Sequence, residues 1–287
     1  MEMIKTSLPV MDDRSEITRD IAKLWNKISV GFCHVWGPHI HHGYFETCEE
    51  TPISAQETLI NKLVGLIGVC AQDKILDVGC GIGGSSFYLA KHYGAIVTGI
   101  SLSQKQIEIA QRYAQTNAVK HTHFTVEDAL SMASIPSNSF DTVWALESCE
   151  QFYDKRLFIE QAFRVLKPGG KLMLATWCSS AEEFQGVSAR KYTKLCTVFQ
   201  LPYMPTLQHY DQLLQQQGFV VNEVLEWSSK VAQSWRIGLS GIKLRSIVNI
   251  FLLSGWQGLL FLKNCRLMKE GFDEKRIEYG VFSAVKP

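Results

Sequence analysis

The stretch KILDVGCGIGGSS at residues 74–86 decides the fold of this chain. It joins a short apolar run to a glycine-rich turn, and a helical pattern opens at Ser85. Glycines in such a turn let the backbone bend tightly and approach a ligand without a Cβ in the way. A strand, a glycine-rich turn and a helix in this order are typical of the ligand-binding edge of a doubly wound α/β sheet.

Short apolar runs alternate with helical patterns along the rest of the chain, as they do in a parallel sheet with helical crossovers. The sequence predicts seven strands, at 74–79, 95–100, 121–126, 140–146, 171–177, 219–227 and 278–285. It predicts helices at 12–30, 53–69, 83–92, 103–117, 154–165 and 206–217. We therefore expect a mostly parallel seven-stranded sheet with helices on both faces.

Two segments, 181–200 and 230–270, do not follow this alternation, and we expect them to be helical insertions that cover the pocket. A length of 287 residues suits one domain with such a lid. Residues 1–70 would supply N-terminal helices and an active-site loop, and residues 71–180 the ligand-binding core. Residues 181–287 would add the lid and the last two strands of the same sheet.

The composition narrows the function classes. The formal net charge is +1, and lysines and arginines are dispersed, so the chain lacks the basic surface of a nucleic-acid-binding protein. The eight cysteines form no Cys-x-x-Cys pair, which favours reduced thiols. Residues 1–14 show neither a secretory signal nor an obvious transit pattern. We therefore expect a cytoplasmic protein.

The most apolar stretch of the chain is 246–262. Polar residues and glycines interrupt it, and it falls short of the roughly 20 clean apolar residues that a membrane-spanning helix needs. We expect no transmembrane segment, although this part of the lid could touch a membrane surface.

The glycine turn also matches the G-x-G-x-x-G spacing of dinucleotide-binding proteins, which is a weak signal alone. Those proteins carry an acidic residue about 20 positions further on, where it holds a ribose hydroxyl. Here the second predicted strand ends TGIS at 98–101, without a carboxylate. The dinucleotide hypothesis is therefore disfavoured.

Three further motifs resemble those of class I S-adenosylmethionine-dependent methyltransferases: EDA at 127–129, FDTVW at 140–144 and VLKPGG at 165–170. Four others, HIHHGY at 39–44, VGCGIGGSS at 78–86, ATWC at 175–178 and EYG at 278–280, are similar to the γ-tocopherol methyltransferases. That family includes tocopherol-like enzymes that N-methylate alkaloids. The resemblance covers about 24–287 and implies a Rossmann-like fold with S-adenosylmethionine as cofactor.

The resemblance also implies which residues bind the cofactor. Asp77 would brace the loop or reach the methionine end, Tyr44 would close over that end, and Asp128 would accept from the adenine amine. The full set is Tyr44, Asp77, Gly79, Gly81, Gly83, Ser101, Gln106, Asp128 and Ala129. An alternative stays open for Ser101 and Gln106, which would also fit an ordinary helix start capped by Ser103.

The motif ESCEQF at 147–152 follows the fourth strand, where acceptor and sulfonium should meet. The resembling enzymes usually read ESGEHM, so Gln151 stands at the position of a histidine. Glutamine can orient an acceptor but cannot take up a proton. Glu150, or Glu147, is then the carboxylate predicted to remove a proton or hold a cationic amine. A purely structural role for these carboxylates stays open.

The acceptor pocket is predicted to be aromatic and apolar. We expect His39, His42, Phe152, Trp177 and Trp235 to bind the acceptor, with Tyr44, Trp36 and Trp256 also near walls and lid. The histidines at 39, 41 and 42 lack further ligands at a recognisable spacing, so we expect no metal. For the histidines, packing within the loop stays open, as does a core position for the aromatic residues.

Together these observations predict a methyltransferase that acts on a small hydrophobic acceptor. The glutamine at 151 and the missing transit pattern favour N-methylation of an indole-type alkaloid in specialised metabolism. The alternative is C-methylation of a tocopherol-like prenylated phenol ring. A hypothesis of another class is a non-catalytic protein that binds S-adenosylmethionine, which the intact glycine loop disfavours.

Overall fold

The structure is a computed structural model that describes residues 3–10, 13–47, 49–240 and 244–287. The strands among these residues are β1 (Met3–Lys5), β2 (Lys74–Val78), β3 (Ile96–Ser101), β4 (Thr122–Val126), β5 (Phe140–Leu146), β6 (Leu166–Ser179), β7 (Glu183–Gln185), β8 (Val220–Glu226) and β9 (Ile277–Val285). The helices are α1 (Arg14–Trp36), α2 (Pro52–Ile67), α3 (Gly84–Tyr93), α4 (Gln104–Thr116), α5 (Lys155–Val165), α6 (Gly186–Phe199), α7 (Leu207–Gln217), α8 (Ser228–Val231), α9 (Gln233–Ser240) and α10 (Leu244–Asp273).

The central sheet has seven strands in the order β4-β3-β2-β5-β6-β9-β8. The first five run parallel, whereas β9 lies antiparallel to both β6 and β8. The order reverses next to β2, so the crevice for a ligand opens at the carboxyl end of that strand. The predicted seven-stranded, mostly parallel sheet is confirmed.

Helices cover both faces of this sheet. On one face α2 packs against the strands through a cluster that includes Leu59, Leu63 and Trp144. On the other face α5 and α7 pack through a second cluster that includes Phe158 and Tyr210. Side chains of these clusters are fully buried, so the sheet is apolar on both sides, as parallel strands with crossovers require.

Helix α1 extends further than the sequence predicted. It begins after Asp13, whose carboxylate accepts from the backbone N–H groups of Ser15 and Glu16, and it continues to Trp36 instead of residue 30. Gly37 ends it with a φ of 94°, a conformation that suits glycine. The extra turns carry aromatic side chains, including Phe32 and Trp36, beneath the lid.

The lid consists of two insertions. The first holds β7, which pairs with β1, and α6, while the second holds α8, α9 and α10. Helix α10 crosses α1 so closely that a Cβ on Gly31 would overlap the hydroxyl of Ser254. The lid therefore packs tightly against the N-terminal helix α1.

The outer face of α10 is apolar and exposed. Its exposed large side chains are Leu244, Ile247, Val248, Phe251, Leu252, Leu253, Trp256 and Leu260. By length and composition α10 could cross a membrane, but such a test is weak evidence because core helices of soluble proteins also pass it. Gly255 interrupts the helix with non-helical angles. Trp256 lies on this lid helix, as predicted, but its side chain is exposed and does not line the pocket.

Candidate active site

The glycine turn after β2 makes the floor of the main cleft. Gly79 and Gly81 have φ angles of 76° and 54°, in the left-handed region that disfavours other residues. A Cβ on Gly79 would overlap the Cβ of Ser148, whereas one on Gly81 would meet nothing within 4 Å. The N–H groups of Gly79 and Cys80 both donate to the carbonyl of Ile100, which fixes the turn against β3.

This cleft encloses about 1000 Å³ and contains most of the residues predicted to bind the cofactor. Asp77, Gly79, Gly81, Ser101, Gln106, Asp128 and Ala129 all line it. A backbone cradle that a Cβ would fill, with polar side chains from successive strand ends, fits an elongated ligand with an aminoacyl group, a ribose and a base. The residues present therefore fit S-adenosylmethionine.

Asp77 closes β2 and is buried. Burial raises the pKa of its carboxyl to about 7, and the hydroxyl of Ser86, which donates to it, opposes that shift. A cation bound near this carboxyl would favour its ionised form. Asp77 can therefore brace α3 through Ser86 and still face the amino end of a ligand in the cleft.

Ser101 and Gln106, which are both predicted to bind the cofactor, lie at the end of β3 and the start of α4. The Ser101 hydroxyl donates to Oε1 of Gln106 over 2.8 Å, and both residues line the cleft. The capping alternative is also present, because Oγ of Ser103 accepts from the N–H of Gln106 at the start of α4. The two arrangements coexist, since capping uses the Gln106 backbone and leaves its amide free to face the ligand.

Tyr44 and Gly83 are not among the residues that line the cleft, and their predicted cofactor contact remains a prediction. The Tyr44 ring stands edge-on to Trp227, with ring centroids 5.1 Å apart, and its N–H donates to the carbonyl of Ala55 in α2. Gly83 precedes α3 with a φ of 89°, and a Cβ there would lie 2.8 Å from the Phe87 ring. Its role is to let the turn pack closely.

A second cavity of about 510 Å³ adjoins the cleft and shares residues with it, including Trp25, His41 and Glu147. We call it the acceptor cavity. Its lining is Trp25, Phe32, Trp36, Ile40, His41, His42, Glu147, Glu150, Gln151, Trp177, Phe199, Trp235 and Phe261. Aromatic rings dominate, and the polar side chains gather at one side.

The structure brings together three of the five predicted acceptor residues: His42, Trp177 and Trp235. Phe152 lines the cofactor cleft instead. The His39 ring packs against His41 and Tyr88 and lines neither cavity, which corrects its predicted acceptor contact. Trp25, Phe32, Phe199 and Phe261 were not predicted, because their helical spacing indicates only a buried face and not what that face covers.

The loop with the histidines is held from several sides. The buried Gln56 amide donates to the carbonyls of His39 and His41, over 2.7 and 3.0 Å. The N–H of Gly43 donates to Oγ of Ser234 in α9. The loop is therefore fixed between α2 and the lid, and its imidazole rings have defined directions.

Glu147 is the centre of a buried hydrogen-bond network. Its Oε2 lies 2.7 Å from Nδ1 of His42, and its Oε1 accepts from the His42 N–H and the Tyr279 hydroxyl, both over 2.8 Å. Burial opposes ionisation, but the charge and hydrogen bonds of His42 outweigh it, so the pKa of Glu147 is lowered. Glu147 also has a φ of 51°, a strained conformation of the kind found at functional sites.

Glu150 differs from Glu147 in its ionisation. Burial first, and then the charge of Glu147, raise the pKa of Glu150 to about 8. Its Oε2 accepts from the hydroxyl of Thr176 over 2.8 Å, and the buried Lys155 ammonium donates to its backbone carbonyl. At neutral pH Glu150 is therefore mainly a neutral acid, which can donate a hydrogen bond.

Gln151 is held at both ends of its amide. Its Oε1 accepts from Nε1 of Trp25 over 2.7 Å, and its Nε2 donates to the carbonyl of Phe199 over 3.0 Å. These bonds tie the turn after β5 to α1 and α6. The predicted role of orienting the acceptor is therefore replaced by a structural link, although the side chain still lines the cavity.

The chain is similar in sequence to known methyltransferases. A family described as a methyltransferase domain matches residues 76–174. The chain is 32% identical to tocopherol O-methyltransferase, chloroplastic, of Arabidopsis thaliana, over 94% of this chain and 83% of the relative. It is 28% identical to 2-methyl-6-phytyl-1,4-hydroquinone methyltransferase of Synechocystis, over 88% and 82%.

Solved structures with the same fold include the [4+2]-cyclase SpnF and the cyclopropane synthase MmaA2 from Mycobacterium tuberculosis. The first has a TM-score of 0.82 at 22% identity and covers 98% of both chains. The second has a TM-score of 0.81 at 18% identity and covers 93% of this chain and 98% of that one. At these identities the likeness concerns the fold alone.

The relatives correct one expectation. The sequence predicts a cytoplasmic protein. The relatives contradict this prediction, because the tocopherol O-methyltransferase of Arabidopsis thaliana and the probable one of Oryza sativa are both named as chloroplastic. Cysteine usage shows only that thiols are reduced, and a reducing environment is not confined to the cytosol.

The overlap of Gly79 with Ser148 can be tested by substitution. Gly79→Ala should lower the free energy of unfolding by about 3 kcal/mol or more, because left-handed strain adds to overpacking. Gly81→Ala is the matched control and should cost only the strain, about 1 kcal/mol. Chemical denaturation without ligand measures both. Equal losses in the two variants would contradict the proposed contact.

The protonation of Glu150 predicts a pH-dependent stability. Between its ordinary pKa of 4.5 and the folded pKa of about 8, the unfolded chain releases the proton that the folded protein keeps. The free energy of unfolding should therefore fall across this window, by at most about 1.4 kcal/mol per pH unit from this group. Glu150→Gln should remove this contribution while keeping the contact with Thr176. Chemical denaturation at pH 5 to 8 measures this free energy for both proteins. If the wild type and the variant show parallel pH dependence, Glu150 does not make this contribution.

Proposed function

Because the chain belongs to the tocopherol methyltransferase-like family of class I S-adenosylmethionine-dependent methyltransferases, we propose that it methylates a ring carbon of a prenylated phenol or hydroquinone. The coarser activity is established by that membership: the protein is an S-adenosylmethionine-dependent methyltransferase of small molecules. The non-catalytic hypothesis is set aside. The acceptor and the methylated atom are the proposal.

One observation carries the proposal, namely the shape and lining of the acceptor cavity. Its aromatic walls adjoin the cofactor cleft and suit a flat, apolar ring. A smaller gap of about 250 Å³ between α1 and α10 shares Phe32 and Phe261 with it. The gap is lined by Ile28, Phe32, Ile250, Ser254, Gly258, Phe261 and Leu262. We call this gap the tail gap. An isoprenoid tail on a ring in the cavity would point toward it, and α1 and α10, which are closely packed at Gly31, would have to separate to admit the tail.

The polar side of the acceptor cavity can pair with a hydroxyl group. His42, Glu147 and Glu150 lie together there, and Glu150, whose pKa is raised by burial to about 8, can donate a hydrogen bond while it is protonated. The names of the relatives favour the phenol alternative over N-methylation of an indole-type alkaloid.

The protein's task in such a reaction is mainly positioning. S-adenosylmethionine supplies a methyl group that its sulfonium charge has already activated. Holding an acceptor atom in line with that methyl can contribute on the order of 7 to 11 kcal/mol. Trp25, Ile40 and Glu147 lie between the two cavities, where they can fix this alignment. The lid excludes water from the ring.

The outer face of α10 suggests how a tail-bearing acceptor is reached. Exposed apolar side chains, with Trp256 72% exposed, lie on the helix whose inner side lines the tail gap. The exposed cations Arg245, Lys263 and Arg266 lie on the same helix, where they can pair with anionic lipid headgroups. We therefore propose that this face rests on a membrane surface from which the acceptor is drawn.

The acceptor proposal predicts a selective assay. Purified protein with labelled S-adenosylmethionine should methylate a hydroquinone that carries an isoprenoid tail, and should act more weakly on the same hydroquinone without the tail. Nuclear magnetic resonance of the product should show a new methyl group on a ring carbon. An indole alkaloid is the competing acceptor. Turnover of the alkaloid alone, or a methyl ether as product, would overturn the proposal.

The membrane contact predicts vesicle binding. The protein should sediment with vesicles that contain anionic lipid, and the double variant Leu252→Ser, Trp256→Ser should bind several-fold less, because both side chains are exposed and apolar. Val220→Ser, an exposed apolar residue on β8, is the matched control and should bind like the wild type. Unbound wild-type protein, or an oligomer that dissociates in the double variant, would contradict the membrane assignment.

A further inference from the structure

His42 is a buried imidazole with one nitrogen engaged and one without a partner. It is 1% exposed. Its Nδ1 lies 2.7 Å from Oε2 of Glu147, whereas its Nε2 makes no hydrogen bond with any described residue. Buried polar atoms are nearly always satisfied in folded proteins, so an unpaired one beside a cavity indicates a missing ligand group.

The hydrogen bond to Glu147 fixes which nitrogen carries the proton. The lowered pKa keeps Glu147 ionised, and an ionised carboxylate can only accept hydrogen bonds. Nδ1 must therefore donate, so in the neutral imidazole Nε2 has a free lone pair. The Tyr279 hydroxyl and the His42 N–H both bind the other oxygen of Glu147, which prevents the carboxylate from rotating away.

The surroundings of the imidazole ring are mostly aromatic. Trp36, Trp177, Trp235, Phe272 and Tyr279 surround it, with centroid distances between 5.3 and 6.4 Å. Three of these residues line the acceptor cavity together with His42. A hydroxyl of an acceptor in this cavity can therefore pair with Nε2.

We infer that Nε2 of His42 is the general base that takes the hydroxyl proton of the acceptor, and that Glu147 is its positioning residue. The inference rests on the proposed phenolic acceptor. The O–H bond breaks and its proton moves to Nε2, while the phenolate electrons at a ring carbon form the bond to the transferred methyl. The methyl–sulfur bond breaks and its electron pair stays on sulfur. The ring carbon then gives up its own proton to solvent, which restores the aromatic ring as a phenolate, and Nε2 returns its proton to the phenolate oxygen. The net products are the methylated phenol, S-adenosylhomocysteine and one proton.

The other polar side chains of the cavity are weaker candidates for this role. Gln151 cannot take up a proton, and Glu150 is already protonated at neutral pH. His41 also has an unpaired Nε2, but its Nδ1 bonds the carbonyl of His42 instead of a carboxylate. Burial also lowers the pKa of His41 below its usual value, which disfavours the protonated ring that a base must form. A carboxylate behind the ring is what distinguishes His42.

The inference is tested with His42→Asn. The asparagine amide nitrogen can replace Nδ1 as donor to Glu147, whereas nothing replaces Nε2. General-base catalysis typically contributes about 100-fold to 10,000-fold, so kcat should fall by at least about 100-fold. Calorimetric affinity for S-adenosylhomocysteine should change by less than about twofold, because His42 does not line the cofactor cleft. An unchanged kcat would overturn the inference.

Acceptor acidity separates a base from a structural residue. A fluorinated phenol that is already ionised at the assay pH needs no base, so His42→Asn should slow its methylation far less than that of the ordinary phenol. His39→Asn, in the same loop but outside the cavity, should keep the acidity dependence of the wild type. An equal loss of rate for both phenols in His42→Asn would show that the residue only supports the loop.

The pH profile gives a second readout. Glu147, Tyr279, His41 and Glu150 are the titratable groups that face His42 or share its cavity. General-base catalysis makes kcat depend on pH, so the kcat profile of His42→Asn should differ in shape from that of the wild type. A profile unchanged in shape would assign the pH dependence to another group and contradict the role of His42.

One readout does not depend on the acceptor. The ¹⁵N chemical shifts of labelled imidazole should show the Nδ1–H tautomer for the neutral ring of His42, and Glu147→Gln should disturb this tautomer preference. The opposite tautomer in the wild type would refute the inference by itself. If the tautomer is as expected but no phenol is methylated, then the proposed acceptor fails and the assignment of the imidazole remains.

Discussion

The contact between Gly79 and Ser148 is the constraint on which the rest of the site depends. A Cβ on Gly79 would overlap the serine side chain, and the Ser148 hydroxyl donates to the carbonyl of Val78 over 2.6 Å. The turns after β2 and β5 are thereby locked together. Because Glu147 precedes Ser148, the cofactor turn and the proton-handling network keep one fixed separation, which is what a direct transfer needs.

Burial gives the two carboxylates of this turn different chemistry. Glu147 has charged and hydrogen-bonding partners, which hold its pKa low, whereas Glu150 lies against that negative charge and is protonated. Two acidic residues in a low-dielectric site cannot both ionise at little cost. The result is one anion, already engaged by His42 and Tyr279, in an otherwise apolar cavity.

Helix α10 serves the interior and the surface at once. Its inner side packs closely on α1, since a Cβ on Gly31 would overlap the hydroxyl of Ser254 and lie 3.6 Å from the Cα of Ile250. Its outer side is apolar and exposed. A helix that is apolar on both sides is expected where the protein packs on one face and meets an apolar environment on the other.

The sequence by itself determined the sheet and the glycine turn, because strand and helix periods are local and parallel strand ends meet at one edge. The residues of the cofactor cleft followed from the resemblance of its motifs to those of known methyltransferases. Tertiary structure alone decided the acceptor side. His42 and Glu147 are 105 residues apart, and only folding shows that they share a hydrogen bond. The N–H of Tyr44 donates to a carbonyl of α2. The side-chain amide of Gln151 is hydrogen-bonded to Trp25 and Phe199. These partners are distant in the chain, and residue type cannot reveal which donor finds which acceptor.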